Sequence, residues 1–139
     1  MTHRFNPPNV WAPFGAFSMG VLQGAGQVVY LKGQVALDVQ GQVVGAGDMT
    51  AQTRQTLSNI QTVLTSVGGT MRDIFSLTQY VTDIDAFMQT GEVRLEFFAD
   101  PFPVTTTVQV VRLYHPDLLV EITATAEIPP ERFRSPAGL

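Results

Sequence analysis

The chain has 139 residues, of which 45% are hydrophobic and 14% charged, with a net charge of −4 and no cysteine. That length makes one domain, 1–139, able to hold its own core, and the missing cysteine excludes disulfides, thiolate catalysis and cysteine metal sites. No apolar run approaches the ~20 residues of a membrane-spanning helix, and the cations are scattered singly instead of forming the basic patch that phosphate binding uses.

Neither membrane nor nucleic acid is therefore an expected partner. The N-terminus has no basic segment followed by an apolar core, so no signal peptide is expected and the expected location is cytoplasmic. The charged fraction is low against a usual ~25%, which points to surface buried in an oligomer.

In chain order, residues 1–14 carry three prolines and are expected to form an irregular arm. Residues 17–23 and 28–37 read as strands, joined by a hairpin turn at Gly24-Ala25-Gly26-Gln27. Val43-Val44, bracketed by Gly41 and Gly45-Ala46-Gly47, reads as a further short strand. A helix is predicted over 50–67, with Leu57, Ile60, Leu64 and Val67 on one face, Asp48 or Thr50 as its cap and Gly68-Gly69 at its end. Residues 74–81 are rich in β-formers. A second helix is predicted over 85–98, aligning Phe87, Gly91, Leu95 and Phe98 and stopping at Pro101 and Pro103. Final strands follow at 104–113 and 118–127, and 129–139 reads as an exposed tail.

The order is β-β-(β)-α-β-α-β-β. Two helices cannot cover both faces of such a sheet, so the expected fold is an α+β sandwich: a mixed β-sheet with two helices on one face. The other face must meet solvent or another subunit. Alternation along the strands groups Val29, Leu31, Gly33, Val35 and Leu37 on one side, and Leu118, Val120, Ile122, Ala124 and Ala126 likewise. Assigning these and Val104, Thr106, Val108 and Val110 to the core places Lys32, Thr105 and Glu121 on the uncovered face.

Lys32, the sole lysine, sits beside Gly33, and a strand glycine marks close approach of a ligand or another backbone. Two readings stay open: a polar-face residue paired with Glu121, or an ammonium that binds an anion in an intersubunit cleft. Glu121 is either an exposed strand carboxylate or a general acid/base that positions water. His3 and His115 lack metal-ligand spacing, and no Gly-x-Ser-x-Gly elbow, P-loop or complete dinucleotide fingerprint occurs. Phe133, between Arg132 and Arg134, belongs to the expected tail.

Several blocks, in order, resemble the RidA/YjgF family of enamine/imine deaminases: Gly15-Ala16-Phe17-Ser18-Met19-Gly20-Val21, Leu31-Lys32-Gly33-Gln34-Val35, Gln52-Thr53-Arg54-Gln55-Thr56-Leu57-Ser58-Asn59-Ile60, Thr82-Asp83-Ile84-Asp85-Ala86-Phe87, Phe102-Pro103-Val104-Thr105-Thr106-Thr107-Val108 and Val120-Glu121-Ile122-Thr123-Ala124. The resemblance covers about 15 to 128. It implies a chorismate-mutase-like fold, a homotrimer with three intersubunit clefts, and hydrolysis of a small imine or enamine metabolite without metal or cofactor.

Carried over by position, Glu121 falls on the family's strand glutamate and Gly33 on its cleft glycine. Phe17 replaces a tyrosine, Lys32 a serine and Gly91 an asparagine. Thr105 replaces the arginine that grips the substrate carboxylate, and a hydroxyl cannot reproduce that charged fork. The resemblance thus implies Glu121 as the catalytic residue and Lys32, Gly33, Phe17, Thr105 and Gly91 around the substrate, with Lys32 offering a substitute charge. The alternative is a non-catalytic trimer that binds a metabolite or a partner protein. Ribonuclease activity, sometimes attached to this family, is disfavoured by the acidic charge.

Overall fold

A computed structural model describes residues 2–136. The main sheet has the order β3-β7-β5-β6, from Gln27–Tyr30 (β3), Val120–Ile128 (β7), Ile74–Val81 (β5) and Val104–Gln109 (β6). The two-residue β4, Gln34–Val35, extends β3 along the same edge of β7. Pairing is antiparallel except between β5 and β6, so the sheet is mixed, as expected.

The long helix α1 spans Met49–Thr65. The Asp48 side chain accepts the Ala51 N–H and caps its start. Leu57, Ile60 and Leu64 are fully buried against Leu77 and Val81 of β5 and Val120, Ile122 and Ala124 of β7. Two polar α1 residues tie this layer to the loops. Gln52, also fully buried, donates to the carbonyls of Gly45 and Asp117 at 3.1 and 2.8 Å and accepts the Leu119 N–H at 2.8 Å. Asn59 donates to the carbonyls of Val35 and Leu37, both at 2.9 Å.

The structure corrects five expectations. The arm is not irregular throughout: His3–Phe5 (β1) pairs with Gly20–Leu22 (β2) in a separate two-stranded sheet, the Phe5 ring occupying the space where a Cβ on Gly20 would lie. Strand β2 therefore does not form a hairpin with β3. The Gly24-Ala25-Gly26 turn is instead fastened to β7, where the Glu127 carboxylate accepts the N–H groups of Gly24 and Gly26 at 2.7 and 2.8 Å. Val43-Val44 makes only an isolated bridge, Leu37 to Val43.

The second helix is broken in two, Ile84–Met88 (α2) and Gly91–Phe97 (α3). Thr90 lies buried in the break, its hydroxyl donating to the Phe87 carbonyl at 2.6 Å, a local bond that competes with the helical one. Leu95 consequently lies outside at 60% exposure while Val93 is in the core.

The tail docks at 132–134. Arg132 forms a fork on the Asp73 carboxylate and donates to the Gly68 carbonyl; Arg134 donates to the Val67 and Thr65 carbonyls. The carbonyls at the end of α1 need donors, and arginines there also complement the helix dipole. Residues 137–139 of the expected tail lie outside the described residues. No helix among the described residues is long and apolar enough to cross a membrane.

Replacing the buried Gln52 with Ala removes three hydrogen bonds, leaving the Asp117 carbonyl and the Leu119 N–H without this partner while the Gly45 carbonyl keeps the Asp48 N–H, and is expected to cost roughly 1–3 kcal/mol, read as a lower urea midpoint at unchanged m-value. Burial acts to raise the Glu127 pKa, but the opposing influences, the N–H groups of Gly24 and Gly26 among them, hold it below the usual carboxylate value. Its contribution to stability is then complete above an unfolded pKa of about 4.3 and is lost as pH falls through the lower folded value. Urea titrations across pH 2–7 should show that acid-side loss shrinking in Glu127→Gln.

Candidate functional site

The faces of the central strands determine where each candidate residue lies. Glu121 pairs with Tyr80 on β5, and Tyr80 in turn with Val108 on β6. Gln79 pairs with Ile122 on one side and Thr107 on the other, while Leu77 pairs with Thr105. Directly paired residues share a face. Thr105 and Thr107 therefore lie with buried Leu77, on the helix side, and Glu121 lies on the opposite, open side. This corrects the expected grouping of Thr105 with Glu121. Period two tells which residues travel together, not which way they face, and on edge strand β6 Val108 faces outward at 39% exposure.

On the helix side, a cavity of about 930 Å³ opens between α2–α3, the start of β6 and the arm, and it brings together Phe17, Gly91 and Thr105. The Ser18 N–H donates to the Pro103 carbonyl at 2.9 Å and holds the Phe17 segment against β6. Trp11, Phe14 and Phe17 form an aromatic wall with ring centroids 5.2 to 5.9 Å apart. Phe87 and Phe102 add to it. A Cβ at Gly91 would meet nothing within 4 Å, so the glycine leaves open space.

The floor of the cavity is polar. Gln79 donates to the Thr107 hydroxyl at 2.8 Å and accepts a hydrogen bond from Arg94, whose other terminal nitrogen donates to the Ala16 carbonyl at 3.3 Å. Arg94 also lies over the Phe98 ring, 5.7 Å from its centroid. Burial lowers its pKa. Sequence reading missed this residue. The available signal was its place three residues after Gly91, on the same helix face.

The other candidates lie elsewhere. Strands β7 and β5 separate the Lys32 segment from β6. Lys32 is exposed and, with Gly33, borders a second cavity of about 630 Å³ that Asn59 and Tyr114 also line. Between Tyr30, opposite Thr125, and Gln34, opposite Ile122, the pairing slips by one residue, a bulge at 31–33. There Gly33 comes so close to β7 that a Cβ would overlap the Glu121 carboxylate. Among the described residues neither Lys32 nor Glu121 forms an ion pair, so the Lys32–Glu121 pairing that one of the two open readings invoked is not seen within the chain. No group of three metal-ligating side chains occurs among them either. His3 lies in β1, and His115 accepts the Asp117 N–H at 3.1 Å in the turn before β7.

The candidates thus fall in two places: an aromatic cavity lined by Phe17, Gly91, Thr105 and Arg94, and the Glu121 carboxylate against Gly33.

The family model described as Endoribonuclease L-PSP matches residues 8–128. A RutC family protein of Pyrococcus horikoshii is 34% identical over 118 residues, 85% of this chain and 91% of that protein. A crystal structure of a Rid family protein of unknown function from Yersinia pestis superposes with a TM-score of 0.79 at 33% identity, covering 91% of this chain and 98% of that one. A Mycobacterium tuberculosis member of the YjgF/YER057c/UK114 family gives 0.63 at 37% identity, over 80% and 86%. The mixed sheet with its few helices is the chorismate-mutase-like α+β fold of these neighbours. The order of the sequence blocks, the fold and these matches agree: the chain belongs to the RidA/YjgF family.

Proposed function

We propose that this protein is a cofactor-free deaminase or hydrolase of the C=N bond of a small imine or enamine metabolite, acting in the cytoplasm in clefts between copies of the chain. The observation that carries the reading is the Glu121 carboxylate lying against the backbone of Gly33, where an added Cβ would push it aside. A carboxylate so placed can accept a proton from a water while that water adds to the imine carbon. The carboxylate returns that proton to the nitrogen to give a carbinolamine; the hydroxyl proton then passes to the nitrogen as well, the C=O bond forms as the C–N bond breaks, and ketone and ammonia leave.

The two partial sites lie on opposite faces of one sheet and cannot meet within a chain. We infer that the chain forms a homotrimer, which would set the carboxylate of one copy against the aromatic cavity of the next three times over. In that arrangement Lys32 stands at the rim of the cleft, beside Gly33.

A second reading, a trimer that binds a metabolite without turning it over, is favoured by one observation: Thr105 stands where the family's carboxylate-gripping arginine is expected. The ribonuclease in the family description gains no support from a chain with a net charge of −4; RNA binding would show as a steeply salt-dependent affinity.

Ammonia release from imino acids generated in place by an amino-acid oxidase tests the chemistry. Glu121→Gln, which keeps the shape and removes the base, is expected to lower the rate about 10²- to 10⁴-fold at an unchanged melting temperature. Wild-type rates no faster than buffer across several imino acids would retire the reaction in favour of binding alone. Gly33→Ala should displace the carboxylate and lower the rate at least about tenfold, since small misplacements of reacting groups are costly; an unaltered rate would disconnect Gly33 from the site. Sedimentation should return a mass of three chains.

A further inference from the structure

Arg94 is a partly buried cation with no carboxylate partner among the described residues. Glu92 also lines the cavity but is exposed and makes no ion pair with it. Burial lowers the pKa of Arg94, yet the guanidinium stays charged, because an arginine starts far above neutrality. Desolvating a charge without a counter-ion is costly, and hydrogen bonds to Gln79 and Ala16 occupy only part of a fork that carries five N–H donors. The remaining donors are available in a largely apolar cavity, where an anion's interaction with them is strongest.

Two hydroxyls stand beside it. The Thr107 oxygen accepts from Gln79, which leaves its own hydrogen free to donate. The Thr105 hydroxyl has no hydrogen-bond partner among the described residues. Around this polar floor the walls are the rings of Trp11, Phe14, Phe17, Phe87 and Phe102.

We propose that Arg94, with the hydroxyls of Thr105 and Thr107, forms the anion subsite of this cavity, and that the ligand it selects is a small organic carboxylate with an aromatic or bulky apolar body. Thr105 stands where the resemblance expects an arginine on β6 and leaves the space, and Arg94 supplies a charged fork from α3 on the helix side. The inference rests on the cavity being the ligand-bearing half of the proposed cleft, and not on turnover.

The probes are phenylpyruvate, its uncharged amide and pyruvate, with binding measured by titration calorimetry on the full chain. Wild type should bind phenylpyruvate more tightly than pyruvate and at least about tenfold more tightly than the amide. Arg94→Gln should lose about 10- to 100-fold for phenylpyruvate and little for the amide. Arg94→Lys should recover part of the loss as a point charge. Introducing Thr105→Arg into Arg94→Gln should restore carboxylate affinity, a rescue that a merely structural role for Arg94 does not provide.

Equal affinity of wild type for acid and amide overturns the proposal without any variant having to fold, and so does the absence of phenylpyruvate binding. Equal affinity for pyruvate overturns the aromatic part. The titrations are repeated in Glu121→Gln. Arg94-dependent binding there, with no turnover in wild type, keeps this subsite and retires the deaminase reading. Turnover in wild type with acid and amide bound alike does the reverse.

Discussion

The alternation of side chains across the paired strands β5 and β7 is the constraint on which the rest of the molecule depends. Every second residue, Leu77, Gln79 and Val81 with Val120, Ile122 and Ala124, is buried beneath the helices. The residues between them, Ser76, Thr78 and Tyr80 with Glu121, Thr123 and Thr125, form an open face of hydroxyls and one carboxylate. A slip of one residue in this pairing would exchange core for surface. The same alternation sends Glu121 to one side of the sheet and the cavity of Thr105, Thr107 and Arg94 to the other. Separation of the carboxylate from the Arg94 cavity is therefore a property of the pleat, and a site that used both would need a second copy.

The residues that carry the family resemblance divide by purpose. Gln52 and Asn59, both in the α1 block, act on the backbone, although Asn59 also borders the cavity beside Gly33. They hold the approach to β7 and the edge strand β4 through backbone carbonyls and an N–H. They fix the position of β7, and so of Glu121, and of the segment containing Gly33. The departures from the family pattern that the resemblance implies lie instead at Phe17, Gly91 and Thr105 around the cavity, and at Lys32. A scaffold held by buried hydrogen bonds tolerates replacement of the groups lining an open pocket, because those groups carry little of the folding energy.

How much of this was legible in the chain follows from how local each signal is. Helix α1 and strand β5 were readable because their periodicity is long, and the cap at Asp48 and the glycines after α1 bound the helix at both ends. The β1–β2 pairing was not, because a three-residue strand next to two prolines carries no periodic signal and its partner is 15 residues away. The break at Thr90 depends on a hydroxyl-to-carbonyl bond that propensity does not show. Docking of Arg132 and Arg134 depends on carbonyls at the far end of α1. At the site, resemblance singled out Gly33 and Glu121 separately, while strand alternation put Gly33 on the core face; the bulge at 31–33 is what brings it against the Glu121 carboxylate. Thr105 was placed on the wrong face because β6, at an edge, has valines on the exposed side and threonines on the cavity side. For Arg94 the helical spacing from Gly91 was a weak signal, and the cavity is what makes its burial informative.

The most direct test of the account is a crystal structure of the assembled protein with phenylpyruvate bound. The account predicts one ligand per interface, its carboxylate on Arg94 of one copy and its oxo carbon within reach of a water held by Glu121 of the next. A ligand enclosed by a single chain, or an assembly in which Glu121 lies far from every such cavity, would contradict it.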